Sequence, residues 1–167
     1  VGKSMVKLFS DAVTCDLNEP SEKPRNFTRR IEDLVDCDFN FICVPTPQGE
    51  NGRCDVSEVE KVARQLHDIN KNSVLVIRST VEIGTTDRLA KELPHQVVFQ
   101  PEYLGETHQH PYLDPKIRMF AILGGEQGAR TKVANLYKSV YNADVDYRFT
   151  DSRTAELCKY MENCFLA

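Results

Sequence analysis

The sequence predicts an α/β domain built on a mostly parallel sheet with helices on both faces. Three observations carry this. The apolar runs 39–44 (FNFICV), 73–78 (SVLVIR) and 97–99 (VVF) have the length and residue types of strands buried on both faces. The segments between them show helical periodicity, as at Val59, Val62, Ala63 and Leu66. Strands alternating with such helices indicate βαβ units.

The 167 residues are enough for one domain with a substantial core, and 41% hydrophobic with 28% charged residues is an ordinary globular composition. A formal net charge of −4, with Lys and Arg scattered, argues against nucleic acid or an anionic membrane as partner. No apolar run approaches the roughly 20 residues of a membrane span. The six cysteines have no C-x-x-C spacing, and Cys15 and Cys43 lie in apolar runs. We therefore expect reduced, partly buried thiols and a cytoplasmic location.

Taken in order, residues 1–9 read as an amphipathic helix with Met5, Leu8 and Phe9 on one face. A strand over 12–17 closes on Asp16. Helix, strand and acid make the second half of a dinucleotide-binding unit, where the acid accepts hydrogen bonds from the adenosine ribose. Val1 and Gly2 then read as the tail of a glycine-rich phosphate loop that starts outside this sequence. The alternative for Asp16 is a plain strand-end acid. Residues 18–28 read as a loop. Thr28 reads as the N-cap of a short helix turning Ile31, Leu34 and Val35 inward. The strand 39–44 stops at Pro45-Thr46-Pro47, a rigid turn that in a nucleotide-binding sheet stands beside the cofactor. Ser57-x-x-Glu60 reads as a capping box opening a helix to His67.

The strand 73–78 ends in a hydroxyl-rich turn, 79–86, ahead of a helix over 87–93; exposed hydroxyls and amides there suit an anionic or polyhydroxyl ligand. Residues 100–111, QPEYLGETHQHP, place Glu102 and Glu106 just past a strand end, as candidates for proton transfer or for holding a water. The competing reading is a solvated acidic loop. His108 and His110 lack a third ligand at metal-site spacing, so no metal is expected. A strand over 119–123 turns at Gly124-Gly125 into a helix over 128–141, and a short strand over 144–149 follows. The final helix, 151–167, carries Glu156, Lys159 and Asn163 at i, i+3 and i+7, on one face. Lysine and asparagine one turn apart can hold an oxyanion or phosphate; the alternative is a surface ion pair beside a spectator Asn.

In combination, FICVPTP, DVSEVE, IRSTVEIGTT, QPEYLGE, the ILGG turn and TAELCKYMENCFLA resemble the UDP-glucose/GDP-mannose dehydrogenase family, in the family's order and over nearly the whole chain. The resemblance implies NAD as cofactor and a nucleotide sugar as substrate, oxidised twice to the uronic acid through a thiohemiacetal and thioester on a cysteine. It implies cofactor contacts from Val1, Gly2, Asp16, Val44, Pro45, Thr46, Thr80 and Glu106. Catalytic roles fall to Thr80, Glu102, Glu106, Lys159 and Asn163, and substrate contacts to Tyr103, Leu104, Lys159 and Asn163. Cys164, abutting Asn163, does not match the family's nucleophile, and Gly105 stands where relatives carry a larger, often basic residue.

The fold implied is Rossmann-like and doubly wound, lacking its first strand and most of the glycine loop. Residues 1–150 are the NAD-binding domain; 151–167 open a central helix leading to a C-terminal part that brings the cysteine, with the parent a homodimer through that helix. Without the first strand, the strand ending at Asp16 is expected either to pair directly with 39–44 or to pack poorly. Two rivals stand: a non-catalytic nucleotide-binding module on the same scaffold, and a hydroxy-acid dehydrogenase of related fold.

Overall fold

The computed structural model describes residues 1–50, 52–103, 116, 120–141 and 145–166. Helix α1 (Gly2–Leu8) is followed by β1 (Val13–Cys15) and β2 (Asn26–Thr28). These two strands pair in parallel as a separate two-stranded sheet, with Thr14 opposite Phe27. A 3-10 turn, Ile31–Leu34, leads into β3 (Phe39–Ile42), and α2 (Ser57–Ile69), β4 (Val74–Ile77), α3 (Thr85–Glu92) and β5 (Gln96–Phe99) succeed it. After β6 (Phe120–Gly125) come α4 (Gln127–Lys138), β7 (Asp146–Thr150) and α5 (Ser152–Leu166).

The main sheet has the order β3-β4-β5-β6-β7. All its pairings are parallel except β5 with β6, where Phe99 opposes Gly124. Alternate side chains build two cores. Ile42, Leu75, Ile77, Val97 and Phe99 meet Val59, Ala63 and Leu66 of α2 and Leu89 of α3. On the other face Val74, Val76, Val98 and Leu123 meet Met5 and Leu8 of α1 and Ala129, Val133 and Tyr137 of α4. Each such aliphatic side chain contributes about 1.5–3 kcal/mol of burial. The sheet is thus covered on both faces, as the apolar runs require.

Several local expectations are corrected. β1 pairs with β2, not with β3, because 26–28, taken for loop, is extended and offers β1 a ladder. Cys15 is exposed, since the face of β1 that carries Val13 and Cys15 is left open while Thr14 on the other face is half-buried. Thr28 sits in β2 and does not cap a helix; its hydroxyl accepts from Arg30 N at 3.0 Å and donates to Asp33. Val35 is exposed. The Ser57/Glu60 capping box does not form. Asp55 takes the Ser57 amide at 3.0 Å, while Glu60 is drawn to Arg64 and Arg88. Helix α3 begins at Thr85, two residues early, because Gly84 at φ +98° opens it.

Gly124 and Gly125 lie inside β6 and not in the turn after it. A Cβ at Gly124 would stand 2.5 Å from the Ala155 Cβ and 2.8 Å from the Asp151 carbonyl. One at Gly125 (φ +141°) would meet the Val97 carbonyl at 2.7 Å. Gly124 lets α5 settle directly on the sheet, and Gly125 lets β5 approach. We predict that Gly124→Ala destabilises the fold by about 1–3 kcal/mol. Thermal unfolding should show this as a fall of about 2–4 °C per kcal/mol; an unchanged midpoint would contradict the close approach.

At the opposite, amino-terminal edge of the sheet, His67 and His95 meet with their Nδ1 atoms 3.1 Å apart, and His95 Nε2 lies 3.3 Å from the Ser73 hydroxyl. Burial, then the nearness of His67, lowers the His95 pKa. The fold therefore favours neutral His95, and the unfolded chain takes up the proton more readily. This contribution to stability is complete above the ordinary histidine value of about 6.5 and is lost as pH falls from there through the lowered folded value. Melting temperatures between about pH 7.5 and pH 5.5 should fall more steeply for the wild type than for His95→Gln. Parallel slopes would sink this assignment.

Candidate functional site

In a parallel sheet, ligands bind beyond the carboxyl ends of the strands. At that end of β3, β4 and β5 the turns 44–46 and 79–80 and residues 100–103 are cross-tied. The Ser79 hydroxyl donates to the Val44 carbonyl at 2.6 Å. The Cys54 thiol, on a small hairpin closed by a Gln48–Cys54 bridge, points at the Thr80 carbonyl (3.4 Å) and that of Thr46 (3.9 Å). Val44, Thr46 and Thr80 are half-buried and Pro45 is exposed. Gly2, at the start of α1, comes close enough to the end of β3 that a Cβ would lie 3.7 Å from the Cys43 Cβ.

Glu102 is buried and turned inward. Its carboxylate accepts from the Tyr103 amide at 2.8 Å and forms an ion pair with Arg78 Nη2. Arg78 Nη1 donates to Gln100 Oε1 at 2.6 Å and to the Tyr137 hydroxyl at 3.0 Å, and that hydroxyl donates to Gln100 in turn. The Tyr103 ring packs on Phe120 and lies under Lys159 Nζ, 5.5 Å from the ring centroid.

The expected common face of Glu156, Lys159 and Asn163 is taken apart. Glu156 is fully buried and accepts from Gly84 N (2.5 Å), Thr86 N (2.8 Å) and the Thr86 hydroxyl (2.6 Å), capping α3. Burial nevertheless raises its carboxyl above the ordinary range, against those bonds. Lys159 pairs with Glu162 at 2.6 Å instead of Glu156, and Asn163 is exposed. The reason is that the open first turn of α3 offers Glu156 better partners than a lysine one turn along. Asp16 is exposed at the end of β1, bonded to the Asn18 amide at 2.9 Å. Val1 is exposed too. Leu104, Glu106, Gly105, His108 and His110 lie outside the described residues.

The structure therefore ties Val44, Thr46 and Thr80 together through Ser79 and Cys54, and separately Glu102, Tyr103 and Lys159, and leaves Asp16 and Asn163 without a described contact to either set. The hollow beside Cys54, about 390 Å³, is lined by Asp55, Glu60, Glu82 and Arg53, the last paired with Glu82 at 3.2 Å. Its acidic lining is unsuited to a diphosphate. Among the described residues no group of three or more metal-ligating side chains occurs, and no helix is long and apolar enough to cross a membrane. Sequence reasoning missed Arg78, Gln100, Tyr137 and Cys54 as site residues. The available signal was a lone arginine ending an otherwise apolar strand.

The family model described as UDP-glucose/GDP-mannose dehydrogenase family, NAD binding domain, matches residues 17–143. The chain belongs to this family. It is 31% identical over 153 residues to the UDP-glucose 6-dehydrogenase of Rhizobium meliloti (strain 1021), covering 85% of this chain but only 35% of that protein. The UDP-D-ManNAc dehydrogenase structure from Pyrococcus horikoshii superposes with a TM-score of 0.74 at 26% identity, over 96% of this chain and 42% of that one. The UDP-glucose dehydrogenase of Pyrobaculum islandicum gives 0.72 at 28% identity, over 84% and 35%. The chain thus spans about a third of the length of such dehydrogenases. NAD is the cofactor of the domain, and the Rossmann-like fold is the family's.

The Glu156 cap is open to test. Glu156→Ala leaves two buried donors of Thr86 and the half-buried Gly84 amide without an acceptor, at about 1–3 kcal/mol each where water cannot replace it. We expect a loss of about 2–5 kcal/mol in urea unfolding and faster amide exchange at Gly84 and Thr86. Exchange unchanged at those two amides would refute the cap.

Proposed function

We propose that this chain is the cofactor half of an enzyme that oxidises a nucleotide sugar to its uronic acid with NAD. The carrying observation is the convergence of Thr46, Thr80, Glu102, Tyr103 and Lys159 at one end of the sheet, on motifs that stand in the family's order. In this reading residues 1–150 form the NAD domain and 151–167 open a central helix. A C-terminal half supplies the nucleophilic cysteine. The residues present fit the cofactor: an exposed Asp16 to accept from ribose hydroxyls, and backbone and hydroxyl groups of the turns beyond β3 and β4. When bound, NAD would supply the hydride acceptor for oxidation of the substrate's alcohol carbon.

The chain's own residues divide the remaining work. Val1, Gly2, Val44, Pro45 and Thr46 would hold the dinucleotide, and Thr80 and Glu106 would serve at its reactive end. Tyr103 and Leu104 meet the substrate. Lys159 and Asn163 steady a developing oxyanion, Lys159 exchanging its Glu162 partner for the substrate. Glu102 is the base that directs water onto the thioester. Release of an acid from a thioester requires such a base, whereas a one-step hydroxy-acid oxidation does not. The exposed Leu157, Met161 and Phe165 recur every fourth residue along α5 and support a homodimer packed through this helix.

A polypeptide extended to the length of its relatives should form NADH from NAD with UDP-glucose, UDP-N-acetylmannosamine or GDP-mannose, whereas this chain by itself should not. In the extended enzyme, Glu102→Gln should slow acid release by about 10²–10⁴-fold and accumulate a covalent adduct visible by intact mass. NAD binding without turnover of any of the three sugars would favour a binding module.

A further inference from the structure

We infer that Arg78 is the positioning residue for Glu102, fixing both the direction and the charge of that carboxylate. The inference rests on the reading of Glu102 as the hydrolytic base. Register brings the two together: Ile77 pairs with Phe99, and Gln100 N bonds the Ile77 carbonyl at 2.9 Å. Arg78 thereby stands opposite Gln100 as the strands end, with Glu102 two residues on. The Arg78 side chain has no exposure at all, and that of Glu102 has 7%.

A guanidinium in such a place costs several kcal/mol of desolvation, returned only if its geometry is excellent and its other protons are bonded. Gln100 at the end of β5 and Tyr137 on α4 hold Nη1, whereas Nε is buried with no hydrogen-bond partner among the described residues, so that cost is offset only in part. Nη2 is left for Glu102, whose second oxygen takes the Tyr103 amide. Both carboxylate oxygens are therefore engaged by groups the sheet itself holds. The packing core has no need of a charged pair there: apolar residues of similar volume are commonly as stabilising or more so. What the pair adds is a carboxylate kept in one orientation at the strand end. A permanently charged neighbour also favours its ionised form.

The test uses the extended enzyme, with Glu102→Gln measured first. Removing the cation in Arg78→Met should move the acid limb of the kcat profile upward by about 1–3 pH units, a change that a merely structural role would not produce. Arg78→Lys should return the limb to within about half a unit of wild type while kcat stays about tenfold low at unchanged KM. The point charge is restored but not the planar fork. If Arg78→Met fails to fold, Arg78→Lys decides: a low kcat with KM retained supports the inference, and a wild-type kcat overturns it. A slowed Glu102→Gln enzyme alongside an unmoved acid limb in folded Arg78→Met also overturns it, leaving the base assignment intact. A Glu102→Gln enzyme of wild-type rate removes the base assignment itself, and this inference with it.

Discussion

The buried Arg78–Glu102 pair is the constraint around which the carboxyl end of the sheet is arranged. Two charges out of water tolerate little displacement, because the attraction that offsets their dehydration falls as soon as they separate. Gln100, Tyr137 and the Tyr103 amide are accordingly all committed to them. The ends of β4 and β5 and the carboxyl end of α4 are held in one register. The exposed ion pairs elsewhere, such as Lys23 with Glu19 or the Glu60–Arg64–Arg88–Glu92 group, stand in high dielectric and are screened by salt. They decorate the fold without defining it.

Most of the main sheet was legible because its strands are buried on both faces and so spell continuous apolar runs; FNFICV and SVLVIR leave little else to be. The amphipathic helices were legible for the complementary reason. What escaped were features decided by partners far along the chain. Asn26–Thr28 has no apolar run, and only the parallel approach of β1 makes it a strand. The Ser57/Glu60 spacing satisfies a capping pattern, but Arg64 and Arg88 outbid the amide for Glu60. Gly124-Gly125 looks like a turn locally; only the arrival of Ala155 over Gly124 and of the Val97 carbonyl against Gly125 explains two glycines within a strand.

The site divides along the same line. Thr46 and Thr80 follow directly from strand ends, so position along the chain suffices to find them. Lys159 stands one turn from Glu156 but pairs with Glu162, because helical spacing says which residues are neighbours but not which neighbour is preferred. Arg78 needed knowledge of the register between β4 and β5, which no single segment contains. The family match, over residues 17–143, accounts for the cofactor domain and explains why these pieces occur together.

The three bonds from Glu156 to Gly84 and Thr86 also have a mechanical side. They rivet the first half of α5 to the turn that carries Thr80, and Ala155, seated on Gly124, removes the remaining slack. Torque applied along this helix therefore reaches the turn undiminished. Beyond its first half Met161, Asn163, Cys164 and Phe165 are exposed, so that the near half of α5 belongs to the frame of the sheet and the far half stands clear of it.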